Sequence, residues 1–433
     1  MTNSKLIACF ILISLFACKN DDSATGNEPI GLQVVTTPNI LLIIADDMGK
    51  DATAGFPEGT AKPTTPTIDS IRTSGINFSN FWVSPTCSPT RSSIITGKYG
   101  YRTGVRTAGG VLSTTETTLQ SFISSETNNA YATAIVGKWH LSGNTQGVNP
   151  EDFGIDYYSG LIIGSAPDYY NWSMTTDGIV TNETEYISSK ISNLGINWKN
   201  QQEKPWFLWM AYTAPHTPFH APPQGTHSQG TLAAYTNGAD PIPYYLAAIE
   251  SMDYEINRVL NSLSTNERNN TVIIFIGDNG SPNQVAQSPY SRTKAKGSLY
   301  QGGINTPLFV SGKGVSRTGI DSSLVSSVDL FTTIANLAGS SITERNDSKS
   351  FYSLFSTAKK HRDFVYSEID NGTDESWTIR NKDYKLIVKS NSEEFYNLQA
   401  DPYESNNLII GTLSSAEQVQ KLELETELSN IRR

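Results

Sequence analysis

Two pairs of hard oxygen donors each close an apolar run of this 433-residue chain: Asp46-Asp47 follows residues 39–45, and Asp278-Asn279 follows residues 271–276. Oxygens drawn from separate segments suit Ca²⁺ or Mg²⁺, because both ions need several oxygen ligands. Each pair alone has a plainer reading, since Asn-Gly is a common turn dipeptide and adjacent aspartates at a strand end are often only solvated. A sharper pattern is Cys87-Ser88-Pro89-Thr90-Arg91; Cys87 is the only thiol beyond the N-terminal segment that holds Cys9 and Cys18, so a disulfide framework is excluded. Of the five histidines, His140 lies in Gly137-Lys138-Trp139-His140-Leu141 and His216 in Pro215-His216-Thr217-Pro218, while Lys296 precedes Gly297. Imidazoles and amines at such places can move protons, and Arg91, Lys138 and Lys296 carry positive charge. His220 and His227 read as loop residues within reach of a substrate, and Lys294 as solvated.

These residues need a scaffold that carries them to one place. The run 39–45 is continuously apolar and short, as expected of a strand buried on both faces, and similar runs recur at 132–136, 206–212, 271–276 and 307–310. Helical spacing is clearest over 244–263, with further helices starting near Thr67 and covering 329–337. Strands alternating with helices predict an α/β fold with a large, mostly parallel, doubly wound sheet, whose ligands collect at the carboxyl ends of the strands. Beyond about residue 356 the pattern changes to short alternating strands at 363–367, 376–380, 384–388 and 395–397, then a weakly capped helix over 414–431. The expected division is a leader over 1–17, a tether over 18–37, a catalytic domain over 38–355 and a small C-terminal antiparallel subdomain over 356–433. Residues 108–118 and 146–182 read as loops, and the tryptophans at 82, 139, 172, 206 and 209 as core residues rather than a sugar platform.

The Cys87 segment resembles the signature Cys-x-Pro-x-Arg of the type I sulfatases, in the alkaline-phosphatase-like superfamily. The resemblance extends to residues 39–49, 137–141, 215–218, 277–280 and 296–303, and to the closing Phe395-Tyr396-Asn397-Leu398 with Asp401-Pro402 and Asn407-Leu408. It departs at Gln301, where the family often has Glu, and at Ser142, where it often has Gly. The resemblance implies that a separate maturation enzyme oxidises Cys87 to formylglycine, and that Asp46, Asp47, Asp278, Asn279 and the modified Cys87 hold Ca²⁺. It also implies a route in which the aldehyde hydrate attacks sulfur with help from Asp278, and His216 or Lys296 protonates the departing alcohol. His140 then takes the proton that lets the enzyme-bound sulfate leave, with Arg91 and Lys138 balancing charge. The expected activity is sulfate monoester hydrolysis on a sulfated polysaccharide or oligosaccharide. The alternatives are a phosphate or phosphonate monoester hydrolase of the same superfamily, and a sulfoglycan-binding lipoprotein without activity.

The net charge of −10 argues against a nucleic-acid partner, which would need a basic face. Lys5 followed by an apolar run over 6–17 is too short to span a bilayer and reads as a signal peptide. Leu15-Phe16-Ala17-Cys18 resembles a bacterial lipobox, which implies lipidation of Cys18 and an exported lipoprotein at the outer membrane, held there by its lipid anchor.

Overall fold

The computed structural model describes residues 37–144 and 147–433. The leader, the lipidation site Cys18 and the tether up to residue 36 lie outside the described residues. Residues 37–433 form one compact unit, and among the described residues no helix is long and apolar enough to cross a membrane.

The central sheet contains β1 (Asn39–Ala45), β2 (Ile76–Trp82), β3 (Ala132–Gly137), β4 (Tyr158–Gly160), β5 (Trp172–Thr176), β6 (Ile179–Glu183), β7 (Trp206–Ala211), β8 (Thr271–Gly277), β9 (Asn305–Thr306), β10 (Leu308–Gly312) and β11 (Gly319–Ser326). Their spatial order is β11-β2-β10-β8-β1-β7-β3-β4-β5-β6, with β9 pairing on β2. The middle run β8-β1-β7-β3-β4 is parallel. β10, which the sequence predicts as a further strand of the apolar set, runs antiparallel to both β8 and β2.

The continuous apolar character of β1 has a direct cause. Side chains alternate across a strand; Ile40, Leu42 and Ile44 enter one core, and Leu41, Ile43 and Ala45 enter the other. Helices Leu119–Glu126 and Asp329–Leu337 cover the first face, and helices Pro66–Thr73, Ile187–Lys199 and Ile242–Asn261 cover the second. The five tryptophans at 82, 139, 172, 206 and 209 are all buried. Residues 147–182 are not a plain loop, because they carry β4, β5 and most of β6 and extend the sheet to its edge.

Helix Pro66–Thr73 has no side-chain cap of its own at Thr65. Asp253, buried on helix Ile242–Asn261, instead accepts from the backbone N–H groups of Thr67 (3.1 Å) and Ile68 (2.7 Å). Orphan N–H groups at a helix start are worth about 1–2 kcal/mol when capped by a carboxylate. Asp253→Ala should therefore lower the unfolding free energy by about that amount. Urea titration reads this, and an unchanged midpoint would show that the helix does not depend on the borrowed cap.

A short hairpin, β12 (Glu344–Arg345) with β13 (Ser348–Lys349), precedes an antiparallel meander of β14 (Val365–Asp370), β15 (Glu375–Arg380), β16 (Tyr384–Lys389) and β17 (Ser392–Asn397). Leu424 and Leu428 of helix Ser415–Ile431 pack on this sheet with Tyr366, Ile379, Leu386 and Phe395. That helix is better capped than its sequence suggests. Ser414 Oγ accepts from Glu417 N–H while Ser414 N–H donates to the Glu417 carboxylate, a reciprocal capping box.

Candidate active site

Four neighbouring parallel strands end at one edge of the sheet. The register pairs Ala45 of β1 with Gly277 of β8, and Gly137 of β3 with Ala211 of β7. The residues that follow each strand, Asp46-Asp47, Asp278-Asn279, Lys138 to His140, and the 212–216 turn, therefore converge without any long connection. Asp47 takes a left-handed backbone (φ 68°) and its N–H donates to Asp278 Oδ1 at 3.1 Å, which joins two of these strand ends.

Cys87 opens helix Cys87–Thr96, whose ten residues are all buried and which stops at Gly97 in the left-handed conformation (φ 66°). Residues four apart share a helix face, so Cys87 and Arg91 point the same way. Pro89 sits in the first turn, where its missing N–H costs no helical bond. The positive end of the helix dipole faces whatever stands at position 87.

Each of three buried carboxylates meets a cation, and Asp46 lies near a second, with Arg91 Nη2 4.0 Å from its Oδ1. Lys138 Nζ donates to Asp46 Oδ2 at 2.6 Å, and Lys296 Nζ to Asp47 Oδ2 at 2.6 Å. Arg91 places Nη2 2.8 Å and Nε 3.2 Å from Asp278 Oδ2, and its Nη1 donates to the Lys138 carbonyl at 2.7 Å. Gly297, with φ +82°, allows the turn that brings its N–H to the Pro85 carbonyl at 2.9 Å and seats Lys296 beside the start of the Cys87 helix. Lys294 is not solvated as its sequence context suggests. It turns away to donate to the Glu404 carbonyl and lies 4.5 Å from the Tyr300 ring centre.

One ligand atom from each of Asp46, Asp47, Cys87 and His216 lies within 4.8 Å of the others. The sequence-based ligand set did not include His216, whose Nε2 is 3.6 Å from Asp47 Oδ2. Asp46 Oδ1 and Asn279 Oδ1 are buried and accept no hydrogen bond, while Asn279 Nδ2 donates to Asp47 Oδ1 at 2.7 Å. Buried acceptors without donors are costly unless a cation meets them, so the donor set fits an oxygen-rich divalent ion. Both oxygens of Asp278 are already engaged, by Asp47 N–H and Arg91.

Burial, with the Asp46 and Asp278 charges adding to it, pushes the Cys87 thiol up to about 11 despite Lys138 and Lys296. An unmodified thiol here stays protonated at neutral pH and is a weak nucleophile, so a papain-like use of Cys87 does not fit. Burial, then the charge of Asp46, raises Asp278 to about 6, against the pull of Arg91 and Lys138. Burial would also raise Asp47, but Lys296, His216 and Lys138 hold it below the usual carboxylate range. Burial would lower Lys296, but Asp47 beside it holds the amine above its ordinary value. Burial and the neighbouring Lys138 lower His140 to about 2, and burial chiefly lowers His216 to about 4, so both rings are neutral near pH 7.

Their tautomers follow from their partners, since a carbonyl oxygen can only accept. His216 Nδ1–H donates to the Thr217 carbonyl at 2.6 Å, leaving Nε2 as a lone pair toward Asp47. His140 Nε2–H donates to Asn144 Oδ1 at 3.3 Å, and its buried Nδ1 has no partner. His220 stacks on Tyr169 with ring centres 3.7 Å apart and shares a hydrogen bond with the Tyr186 hydroxyl at 3.0 Å, which makes it a packing residue. His227 lines a separate cavity of about 260 Å³ with Glu250 and Asp253.

Residues 38–340 match the sulfatase family, and residues 294–433 match the C-terminal family of N-sulphoglucosamine sulphohydrolase. Arylsulfatase J of Mus musculus is 28% identical over 338 residues, covering 72% of this chain and 54% of its own length, so the chain spans about half of that relative. The arylsulfatase of Klebsiella aerogenes is 26% identical over 414 residues, covering 70% of this chain and 87% of its own. Among solved structures, Ps i-CgsB superposes with a TM-score of 0.78 at 25% identity, over 91% of this chain and 92% of its own. BT4656 shares the fold, with a TM-score of 0.76 at 20% identity, over 92% of this chain and 98% of its own. With the family match running through every strand end that carries the buried charges, this chain belongs to the sulfatase family.

Proposed function

We propose that the chain hydrolyses sulfate monoesters on a sulfated oligosaccharide or polysaccharide, with Cys87 converted to formylglycine by a maturation enzyme and with Ca²⁺ at the strand-end cluster. The observation that carries this reading is the meeting of Asp46, Asp47, Cys87 and His216 beside the buried Arg91 and Lys138 and the half-buried Lys296. Asp46, Asp47, Asp278 and Asn279 would hold the ion, with His216 and the position 87 side chain facing it. Bound there, the ion would supply positive charge against sulfate oxygens and polarise the position 87 nucleophile.

The chain's own residues then divide the remaining work. Arg91 and Lys138 balance buried carboxylates while presenting positive charge to the transferred group. Lys296 is the protonated group at neutral pH and supplies the proton to the departing alcohol. His216, whose Nε2 carries a lone pair, is suited to accept rather than to donate. His140, neutral and with Nδ1 free, accepts the proton that restores position 87. A glycan substrate draws on the neighbours: Ps i-CgsB was solved in complex with k-i-k-neocarrahexaose, and BT4656 with D-glucosamine-2-N,6-O-disulfate. Export and a lipid anchor at Cys18 belong to the same reading.

The test is sulfate release from an aryl sulfate and a panel of sulfated oligosaccharides, by protein coexpressed with a maturation enzyme. The mass of the Cys87 peptide is measured alongside. Chelation should remove activity and Ca²⁺ should restore it. Full sulfatase activity with an unmodified thiol, or a preference for aryl phosphate over aryl sulfate, would overturn the assignment. The proton role has its own check. Lys296→Ala should slow an alkyl sulfate by about 10²-fold or more and a nitrophenyl sulfate far less, because only the poor leaving group needs the proton. Equal losses on both would remove Lys296 from that role.

A further inference from the structure

The segment that leaves the site after Asp46-Asp47 folds around a single amine. Lys62 Nζ donates to the backbone carbonyls of Lys50 (3.0 Å), Asp51 (3.2 Å) and Thr53 (2.8 Å), and also to that of Glu58. An ammonium has three protons, so four converging carbonyl dipoles exceed its hydrogen-bonding capacity. Such a shell of backbone oxygens is the surrounding a monovalent metal ion takes when it sheds water. Burial lowers the half-buried Lys62 amine below its ordinary value, against the opposing pull of the Asp51 and Glu58 carboxylates. Gly59, with φ +77°, comes so near that a Cβ would stand 1.9 Å from the Asp51 carbonyl oxygen, so the wrap leaves no room for a side chain there.

Asp51 carries this cage to the site. Its Oδ1 accepts from Ser281 Oγ at 2.6 Å and its Oδ2 from Gln287 N–H at 2.9 Å. Ser281 Oγ in turn accepts from Gly49 N–H at 3.2 Å, and lies 3.0 Å from the Tyr245 hydroxyl, which donates to the Asp47 carbonyl at 2.7 Å. The Gln287 side chain closes the loop from the other side, accepting from Thr60 N–H (3.1 Å) and Ala61 N–H (2.8 Å). Ser281 follows Asn279 by two residues and Gly49 follows Asp47 by two, so the network spans the two strand ends that carry the oxygen donors.

We propose that Lys62 is a resident internal cation, standing where a monovalent ion would otherwise bind. Through Asp51 and Ser281 it sets the spacing between the Asp46-Asp47 and Asp278-Asn279 halves of the candidate metal site. Lys62 is a positioning residue; the part of the inference that concerns Ca²⁺ rests on the functional reading above, and the cage itself does not.

The experiment uses the full matured chain carrying Lys62→Ala, with and without n-propylammonium, K⁺ or tetramethylammonium. Two readouts are hydrogen exchange over residues 46–62 and the Ca²⁺ dissociation constant by calorimetry. Lys62→Ala should weaken Ca²⁺ by about tenfold or more, as loss of groups that orient ligands does, and should speed exchange at Asp47 and Gly49. Propylammonium or K⁺ should restore both, and tetramethylammonium, which is too large and has no N–H, should restore neither. Exchange and affinity within about twofold of the parent, or equal rescue by tetramethylammonium, would overturn the proposal. If the parent protein itself binds no Ca²⁺, the metal reading fails, and the exchange and rescue arms still decide the cage. Should Lys62→Ala not fold, Ser281→Ala cuts the link beyond the cage. It should then weaken Ca²⁺ without rescue by any amine, and unchanged affinity and exchange in that variant would overturn the positioning role.

Discussion

Cys87→Ala should abolish sulfate release, by about 10³-fold or more, while leaving the fold almost untouched. The two effects separate because of where Cys87 sits. Its side chain is 1% exposed, at the first residue of a buried helix. Truncation to Ala removes one sulfur and costs about 1–2 kcal/mol at most, by analogy with the smaller core deletions. Function loses far more, because the proposed chemistry passes through this one position. Cys87→Ser sharpens the test. A hydroxyl on the same carbon could accept a sulfuryl group but has no second hydroxyl with which to expel it. Ser should therefore give at most one turnover, seen as a burst without steady release. Steady turnover by either variant at more than about 1% of the matured parent would remove position 87 from the mechanism.

Much of the scaffold is legible in the sequence because its causes are local. β1 and β8 are buried on both faces, so their residues are apolar without interruption, and the acids that end each run stand out by contrast. Helix Asp329–Leu337 follows its apolar spacing from end to end. Helix Cys87–Thr96 is hidden for the opposite reason. All ten of its residues are buried, yet seven are Ser, Thr, Arg or Cys, so no apolar stripe marks it. Helix Ile187–Lys199 is diluted in the same way by Ser and Asn. The site residues within motifs are readable one by one, but their pairing is not. Nothing at Lys138, Lys296 or Arg91 says which carboxylate each will meet, since that depends on the register of β3, β7, β1 and β8. The same holds for Lys62 and Asp51, which lie in a Gly-rich stretch and gain their roles only when it closes.

Arg91→Ala should be the most destabilising single change at the site, and its cost should grow with pH. Removing the guanidinium strips Asp278, 0% exposed, of the donors at 2.8 and 3.2 Å on Oδ2. A buried carboxylate left without its partner costs about 3–5 kcal/mol. Arg91→Lys should recover little, because one ammonium cannot reach both Asp278 and the Lys138 carbonyl, which Arg91 bridges with separate nitrogens. The sign of the pH effect follows from Asp278. Burial and Asp46 already raise it to about 6, and Arg91 is the largest influence holding it down. Without Arg91 it rises further above its unfolded value. An acid whose folded value is raised loses stability as pH climbs from the unfolded value to the folded one, because the unfolded chain releases the proton first. Chelated Arg91→Ala protein should therefore lie closer to the parent at pH 5 than at pH 8 in urea titrations. Asp278→Asn in the same background should recover much of the loss at pH 8, because it removes the uncompensated charge. A penalty that is the same at both pH values, or a double variant no more stable than Arg91→Ala, would show that Arg91 acts by packing rather than by holding the Asp278 charge in place.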